Sequence, residues 1–503
     1  MPNQCITDII CATDKRTDTT FEMAIDSEIL LADYDRPVFK IIKTIIDHSI
    51  TQKYVNGNRL IIEGFFRTSV FYQPPGGESL TVVSKKQTFQ KQLELLTPVT
   101  QSYFINISGD LQYVNTRAVN PTRIAINGVY QFAVELYTTE NIPITTAINS
   151  ENVCTDTGAV TYFTLRGRAG RQFSMEDELA VGEKTDKILH INACPINVSA
   201  TSYQDKVNVK GEVEAEIVFS LTDSATVQIV KKKFPFNQIV DVAGATENSV
   251  AYSDLSVIST TVTANGDGGR VNCIVTAAMD VKVFRKNTVI SVKDAFSKKY
   301  ITEKKTATVA YDKNIYSVNK TINCSIEDNV AGGYTPIYSF INMGTPFVDS
   351  KDGKNLLKSK VYLTALVMNS QKEYESFGKT GEIVIDTGKE ATPEDKYFLK
   401  CNIQNKTITT SGNNLKVDFT IDVSGFAIAT QKETVMESFV EDSEKAVIKN
   451  DNSLVLYYGK KGERIFDIGM RYSTDVEAIM TENNLSGQYL DSDRMILVPS
   501  FGM

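Results

Sequence analysis

The chain has 503 residues, 42% of them hydrophobic, enough for several domains with cores of their own. Its 53 basic and 61 acidic residues leave a net charge of −8 spread along the sequence, which argues against a general nucleic-acid binder with a basic face. No run reaches the roughly 18–20 apolar residues of a membrane-spanning helix, and the opening MPNQCITDIICATDKR lacks the basic start and apolar core of a secretory signal.

Residues 1–20 are polar, rich in Asp and Thr, and read as a loose lead-in. A first module is expected over 21–140, opening at Phe21-Glu22-Met23. Pro37 precedes an apolar stretch, Val38 to Ile46, whose periodicity fits either a strand or a short helix. Beyond the Asn56-Gly57 turn, Leu60, Ile62, Gly64, Phe66, Thr68, Val70 and Tyr72 alternate with polar neighbours. Period two over so many residues marks a strand with one buried and one wet face. Lys85-Lys86 and Phe89 follow, and Ile124, Ile126, Gly128, Tyr130, Phe132, Val134 and Leu136 alternate in a second strand.

The same landmarks return in phase near 147 residues later. Val207, Val209, Gly211, Val213, Ala215, Ile217 and Phe219 repeat the first strand; Val271, Cys273, Val275, Ala277, Met279, Val281 and Val283 repeat the second. Lys232-Lys233 and Phe236 repeat Lys85-Lys86 and Phe89. A third copy carries Leu357, Ser359, Val361, Leu363, Ala365 and Val367, then Val417, Phe419, Ile421 and Val423. Modules are therefore expected at 21–140, 165–296 and 315–432, each made of two related halves. A period this long means tandem domains, not a solenoid. Gly-, Asn- and Pro-rich turns, including Asn265-Gly266-Asp267-Gly268-Gly269 and Ser411-Gly412-Asn413-Asn414, predict antiparallel, sandwich-like sheets. Polar stretches at 140–160, 297–314 and 433–453 read as linkers or edge hairpins with hinge freedom.

The last fifty residues change character. Leu454 and Leu456 begin a short strand, and Ile465, Ile468, Gly469 and Tyr472 share one helical face. Val476 and Ile479 lie in a second helix, and Met495 to Val498 close with a strand. The fold class expected is mainly β: three antiparallel modules and a small βααβ unit at 454–503.

Catalytic and metal chemistry is sparse. The seven cysteines form no C-x-x-C pair and do not follow the repeat, so a reducing compartment is inferred. The two histidines, His48 and His190, occupy non-equivalent positions and read as structural or surface residues. Gly378-Lys379-Thr380 resembles the end of a phosphate loop, but Glu373 stands where its first glycine belongs and a strand pattern follows. Arg166-Gly167-Arg168-Ala169-Gly170-Arg171 reads as an exposed loop between modules. No catalytic residues, metal ligands or cofactors are assigned, and the chain is not expected to be an enzyme.

The doubled strand unit, seen in KVNVKGEVEAEIVFS (206–220) and FPFNQIV (234–240), resembles the SPOCS domain of spore-coat-associated proteins, with three copies over about 20–430. The terminal unit is similar to a LysM domain in Tyr457-Tyr458-Gly459, Gly462, Ile465-Phe466, Ile468-Gly469, Tyr472, Asn483-Asn484-Leu485 and Ile496 to Pro499. Together they resemble the stage IV sporulation protein A-interacting family of endospore-forming clostridia. The resemblance implies a non-catalytic adaptor of spore coat and cortex assembly. It would work in the mother-cell cytoplasm at the forespore surface, with a stage IV sporulation protein A-like ATPase as partner. The alternative it implies is a wall protein that binds peptidoglycan or cortex glycan through the LysM unit.

A LysM groove maps here to Lys460, Lys461, Gly462, Glu463, Arg464 and Ile465 on one loop and Leu490, Asp491, Ser492 and Asp493 on the other. Glu463-Arg464 replaces the family's small Asp-Thr/Ser, and Asp493 replaces a glycine, which weakens glycan binding and favours a protein. Lys460, Lys461, Glu463 and Arg464 are the expected contacts, on the ground that charge there has no folding purpose; Ile465, Phe466 and Tyr472 are expected in the core.

Overall fold

The computed structural model describes residues 4–77, 79–181, 185–221, 224–264, 269–330, 332–351, 354–388, 390, 392–447 and 454–499. The alternating stretches are all strands. The first module holds β1 (Gln4–Leu30), β2 (Lys40–Asn56), β3 (Arg59–Gln73), β4 (Thr81–Glu94), β5 (Tyr103–Asn120) and β6 (Arg123–Asn149). Its sheets run in the orders β1-β6-β5 and β2-β3-β4, antiparallel throughout. The second holds β7 (Val153–Ala180), β8 (Thr185–Tyr203), β9 (Lys206–Leu221), β10 (Ser224–Asp241), β11 (Val250–Ala264) and β12 (Arg270–Ser297), ordered β11-β12-β7 and β10-β9-β8. The third holds β13 (Tyr300–Asn329), β14 (Thr335–Met343), β15 (Phe347–Lys351), β16 (Lys354–Met368), β17 (Tyr374–Val384), β18 (Lys396–Ser411) and β19 (Asn414–Ala446). There the orders are β13-β19-β18 and β14-β16-β15, with β17 also on β16.

In each module the inward faces of the two sheets meet in one core. The alternation selects that face: Leu60, Ile62, Phe66, Val70 and Tyr72 of β3 and Val207, Val209, Val213, Ala215 and Ile217 of β9 are all buried. The recurring Phe89 and Phe236 have a geometric reason. A Cβ on Gly64 would stand 2.9 Å from the Phe89 ring and 2.3 Å from the Ser49 carbonyl; one on Gly211 would stand 3.0 Å from the Phe236 ring. Each ring lies on a glycine that leaves room for it. The stretch at 38–46 runs into the strand β2 from Lys40 onward and is not a helix.

Four sequence expectations need correction. Residues 4–20 are not a loose lead-in: they are the first part of β1 and pair with β6 in one ladder from Gln4–Asn149 to Leu30–Arg123. Nor are 140–160, 297–314 and 433–446 hinged linkers. They are the outer halves of paired strands, β6 with β1, β7 with β12 and β13 with β19, joined by short connections; residues 448–453 lie outside the described residues, as do 265–268 of the glycine-rich turn. Arg166 to Arg171 lie within β7, where Arg168 holds Asp280 at 2.6 Å and Arg171 donates to the Ile239 carbonyl. The expected opening at Phe21-Glu22-Met23 likewise falls mid-strand, within β1.

These long strands form three two-stranded ribbons that pack together. Ile10, Ala12 and Ile144 from the first ribbon meet Val160 and Tyr162 from the second and Val309, Tyr311 and Val435 from the third in one buried cluster. A second three-way cluster joins Phe104, Tyr137, Phe163, Phe284, Ile315 and Phe426. The middle sheets also meet, through Ile45, Phe71, Leu189, Val218, Tyr338 and Phe340. The modules thus have separate cores and a shared one. The ribbons read as polar in sequence because only their centre-facing residues are apolar, and their partners lie far away along the chain.

Candidate binding surface of the C-terminal unit

The last segment folds as β20 (Leu454–Gly459), α1 (Ile465–Tyr472), α2 (Val476–Glu482) and β21 (Arg494–Pro499), with β20 antiparallel to β21. Ile465, Ile468, Ile479, Leu490, Ile496 and Val498 form its core. Asp475 caps α2 by accepting from the Glu477 amide. Asn483 ties α2 to β21: its Nδ2 donates to the Ile479 and Leu497 carbonyls at 2.8 and 2.7 Å, and its Oδ1 accepts from the Leu497 amide. The sequence offered Asn483 only as part of a motif; this splice is its physical role.

The two expected groove loops are neighbours. The Gly462 amide donates to the Leu490 carbonyl, the Leu490 amide to the Glu463 carbonyl, and the Ile465 amide to the Gln488 carbonyl. Gly462 turns the chain at φ 84°, a left-handed conformation that favours glycine. Asp493 accepts from the Lys461 amide at 2.7 Å, and Ser492 donates to Asp491. Lys460, Lys461, Gly462, Asp491, Ser492 and Asp493 are exposed, whereas Ile465 and Leu490 are core residues.

Charge at 463 and 464 does serve folding, contrary to expectation. Glu463 accepts from the Tyr457 hydroxyl at 2.6 Å and from the Lys460 amide at 3.2 Å; its carboxylate pushes the Tyr457 hydroxyl above its ordinary pKa. Arg464 grips both oxygens of Asp467, and its Nη1 reaches Asp156 at the start of β7 at 2.7 Å. Beside this pair, Lys298 meets Asp475 at 2.7 Å, and the Phe466 ring packs edge-on against Phe296 with centroids 5.2 Å apart. Burial alone would raise the Asp475 carboxyl, but Lys298 holds it below the usual range. Arg464 and Phe466 therefore dock the unit on the second ribbon.

Sequence reading passed over a different surface. Leu454, Leu456 and Tyr458 on β20 and Met495 on β21 are each at least half exposed. They occupy outward positions of the two-stranded sheet, Tyr458 directly opposite Met495. The signal was present as alternation in LVLYYG, where both faces are apolar.

Among the described residues, no group of His, Cys, Asp and Glu is arranged to hold a metal ion, and no helix is long and apolar enough to cross a membrane. No curated protein and no solved structure matches the chain. The family profile described as SipL, SPOCS domain matches residues 184–265, the stretch that carries β8, β9, β10 and β11 of the second module. Its match takes in the alternating strand that recurs at β3 and β16. Residues 184–265 therefore carry a SPOCS domain like that of SipL, a domain that points to a sporulation-related protein.

Proposed function

We propose that the chain is a non-catalytic adaptor of spore coat and cortex assembly, holding a coat basement-layer protein at the forespore surface from the mother-cell side. The observation that carries this reading is the SipL SPOCS match on a body built of three such sheet pairs. The C-terminal unit is the proposed recruiting element, and its βααβ order agrees with its resemblance to LysM. A stage IV sporulation protein A-like ATPase is the proposed partner. Apolar side chains on a small exposed sheet, with Lys460, Lys461 and Asp493 beside them, suit a protein surface better than a sugar chain.

The test is a chain ending at residue 447, expressed in sporulating cells with a fluorescent tag. It is expected to stay folded yet fail to collect at the forespore; normal collection would sink the reading. Saturable capture of the intact chain by purified peptidoglycan, lost on the same truncation, would favour the wall-binding alternative.

A further inference from the structure

Where the three modules meet, a cavity of about 230 Å³ opens between β5, β8, β11 and β18. One part of its lining is aromatic: Tyr252 stacks on Phe426 at 4.6 Å and Phe398 on Phe426 at 4.8 Å, and Tyr252 and Phe398 are only partly buried. The charged part comprises Lys282, Lys400 and Asp254, the last being the only carboxylate among the described residues that line it.

The charges here do not balance. Lys400 holds Asp254 at 2.5 Å, and Lys53, from the first module, stands 3.8 Å from the same carboxylate. Lys282 and Arg168 share Asp280 at 3.1 and 2.6 Å. Four cations thus face two carboxylates at a crowded junction, and Lys282 is 4% exposed. Positive charge left over in such a place is costly unless an anion or water meets it. The Ser253 hydroxyl, on the same lining, is buried without a hydrogen-bond partner among the described residues, which leaves a donor unused.

We propose that this cavity binds a small organic anion, with its acidic head at Lys282, Lys400 and the Ser253 hydroxyl and its apolar or aromatic body against Tyr252 and Phe398. Such a ligand touches the second and third modules directly and reaches Phe104 and Asn106 of the first. Binding therefore favours the closed junction over any state in which the modules part. The inference does not depend on the adaptor role.

The test uses the full chain and benzoate as probe, with benzamide as its neutral counterpart and inorganic phosphate as a bodiless anion, titrated calorimetrically at constant ionic strength. Benzoate is expected to bind saturably, at least tenfold tighter than either control, and to raise the melting temperature. Lys400→Gln should weaken it at least tenfold, Lys400→Arg should restore it, and Ala200→Leu should abolish it by filling the space. Melting curves without ligand establish that each variant is folded, and either folded variant suffices. Equal binding of benzamide, binding of phosphate alone, benzoate binding unchanged in a folded variant, or no saturable binding of benzoate overturns the proposal.

Discussion

Ile10, Tyr162 and Val435 come from three different modules and enter one buried cluster, whereas the C-terminal unit meets the body through the side chains of Arg464, Phe466 and Asp475 on a single ribbon tip. The first arrangement is cooperative: each ribbon lacks a complete apolar environment without the other two. The second is modular, because the terminal unit owns its core and meets the body mainly through two ion pairs and a ring contact. Partly exposed ion pairs contribute little, typically under about 1 kcal/mol each. The body should therefore behave as one unit and the tail as a separable one.

The hardest blow to that contrast is Ile10→Asp, which puts an unpaired carboxylate where the side chain is fully buried. It should cost roughly 3–5 kcal/mol and, in urea unfolding, shift the whole body while sparing the tail. A loss confined to the first module would mean that the ribbons do not couple the modules.

Gly64→Ala tests a module core instead. Its Cβ would run into the Ser49 carbonyl and the Phe89 ring, and the expected loss is about 1–3 kcal/mol. Gly211→Ala meets a looser site, with its nearest atoms at 3.0 Å or more, and should cost less.

Acid probes the junction. Burial first, and Lys400 second, lower the pKa of His48 to about 4, while the unfolded chain takes up its proton near 6.5. The stabilising effect of keeping this ring neutral is complete above pH 6.5 and is lost as the pH falls toward 4. His48→Gln should flatten that part of the stability profile, by roughly 1 kcal/mol for a ring that is only partly buried. Its Nδ1 lies 2.8 Å from the Tyr130 hydroxyl, so glutamine retains a polar partner.

The gentlest change, Arg464→Ala, removes the reach to Asp156. It should leave the body's unfolding midpoint within about 0.5 kcal/mol yet speed proteolysis between residues 447 and 454. Unchanged cleavage would mean that Phe466 on Phe296 suffices to seat the unit.

Much of the fold was legible because buried faces leave a period of two: β3, β9 and β16, and β6, β12 and β19, could be read residue by residue. The ribbons could not. In β1, only Ile10, Ala12 and Thr13 among residues 10–15 are strongly buried, and the rest of CATDKRTDTT is polar because it faces water. Its ladder partner begins beyond residue 123, which no local window contains. The candidate surface was half legible. Spacing brought loops 460–465 and 488–493 to one place, but the partner that occupies Arg464 is Asp156, distant in sequence. Charge without a local counterpart was therefore mistaken for charge without a structural role.

Fusing three modules into one chain also breaks their equivalence. Three separate subunits would present three copies of any appendage, but here one tail sits at the tip formed by Val153 and Ser297. The particle consequently has a polarity, and any partner that engages the terminal unit should count one site per three-module body.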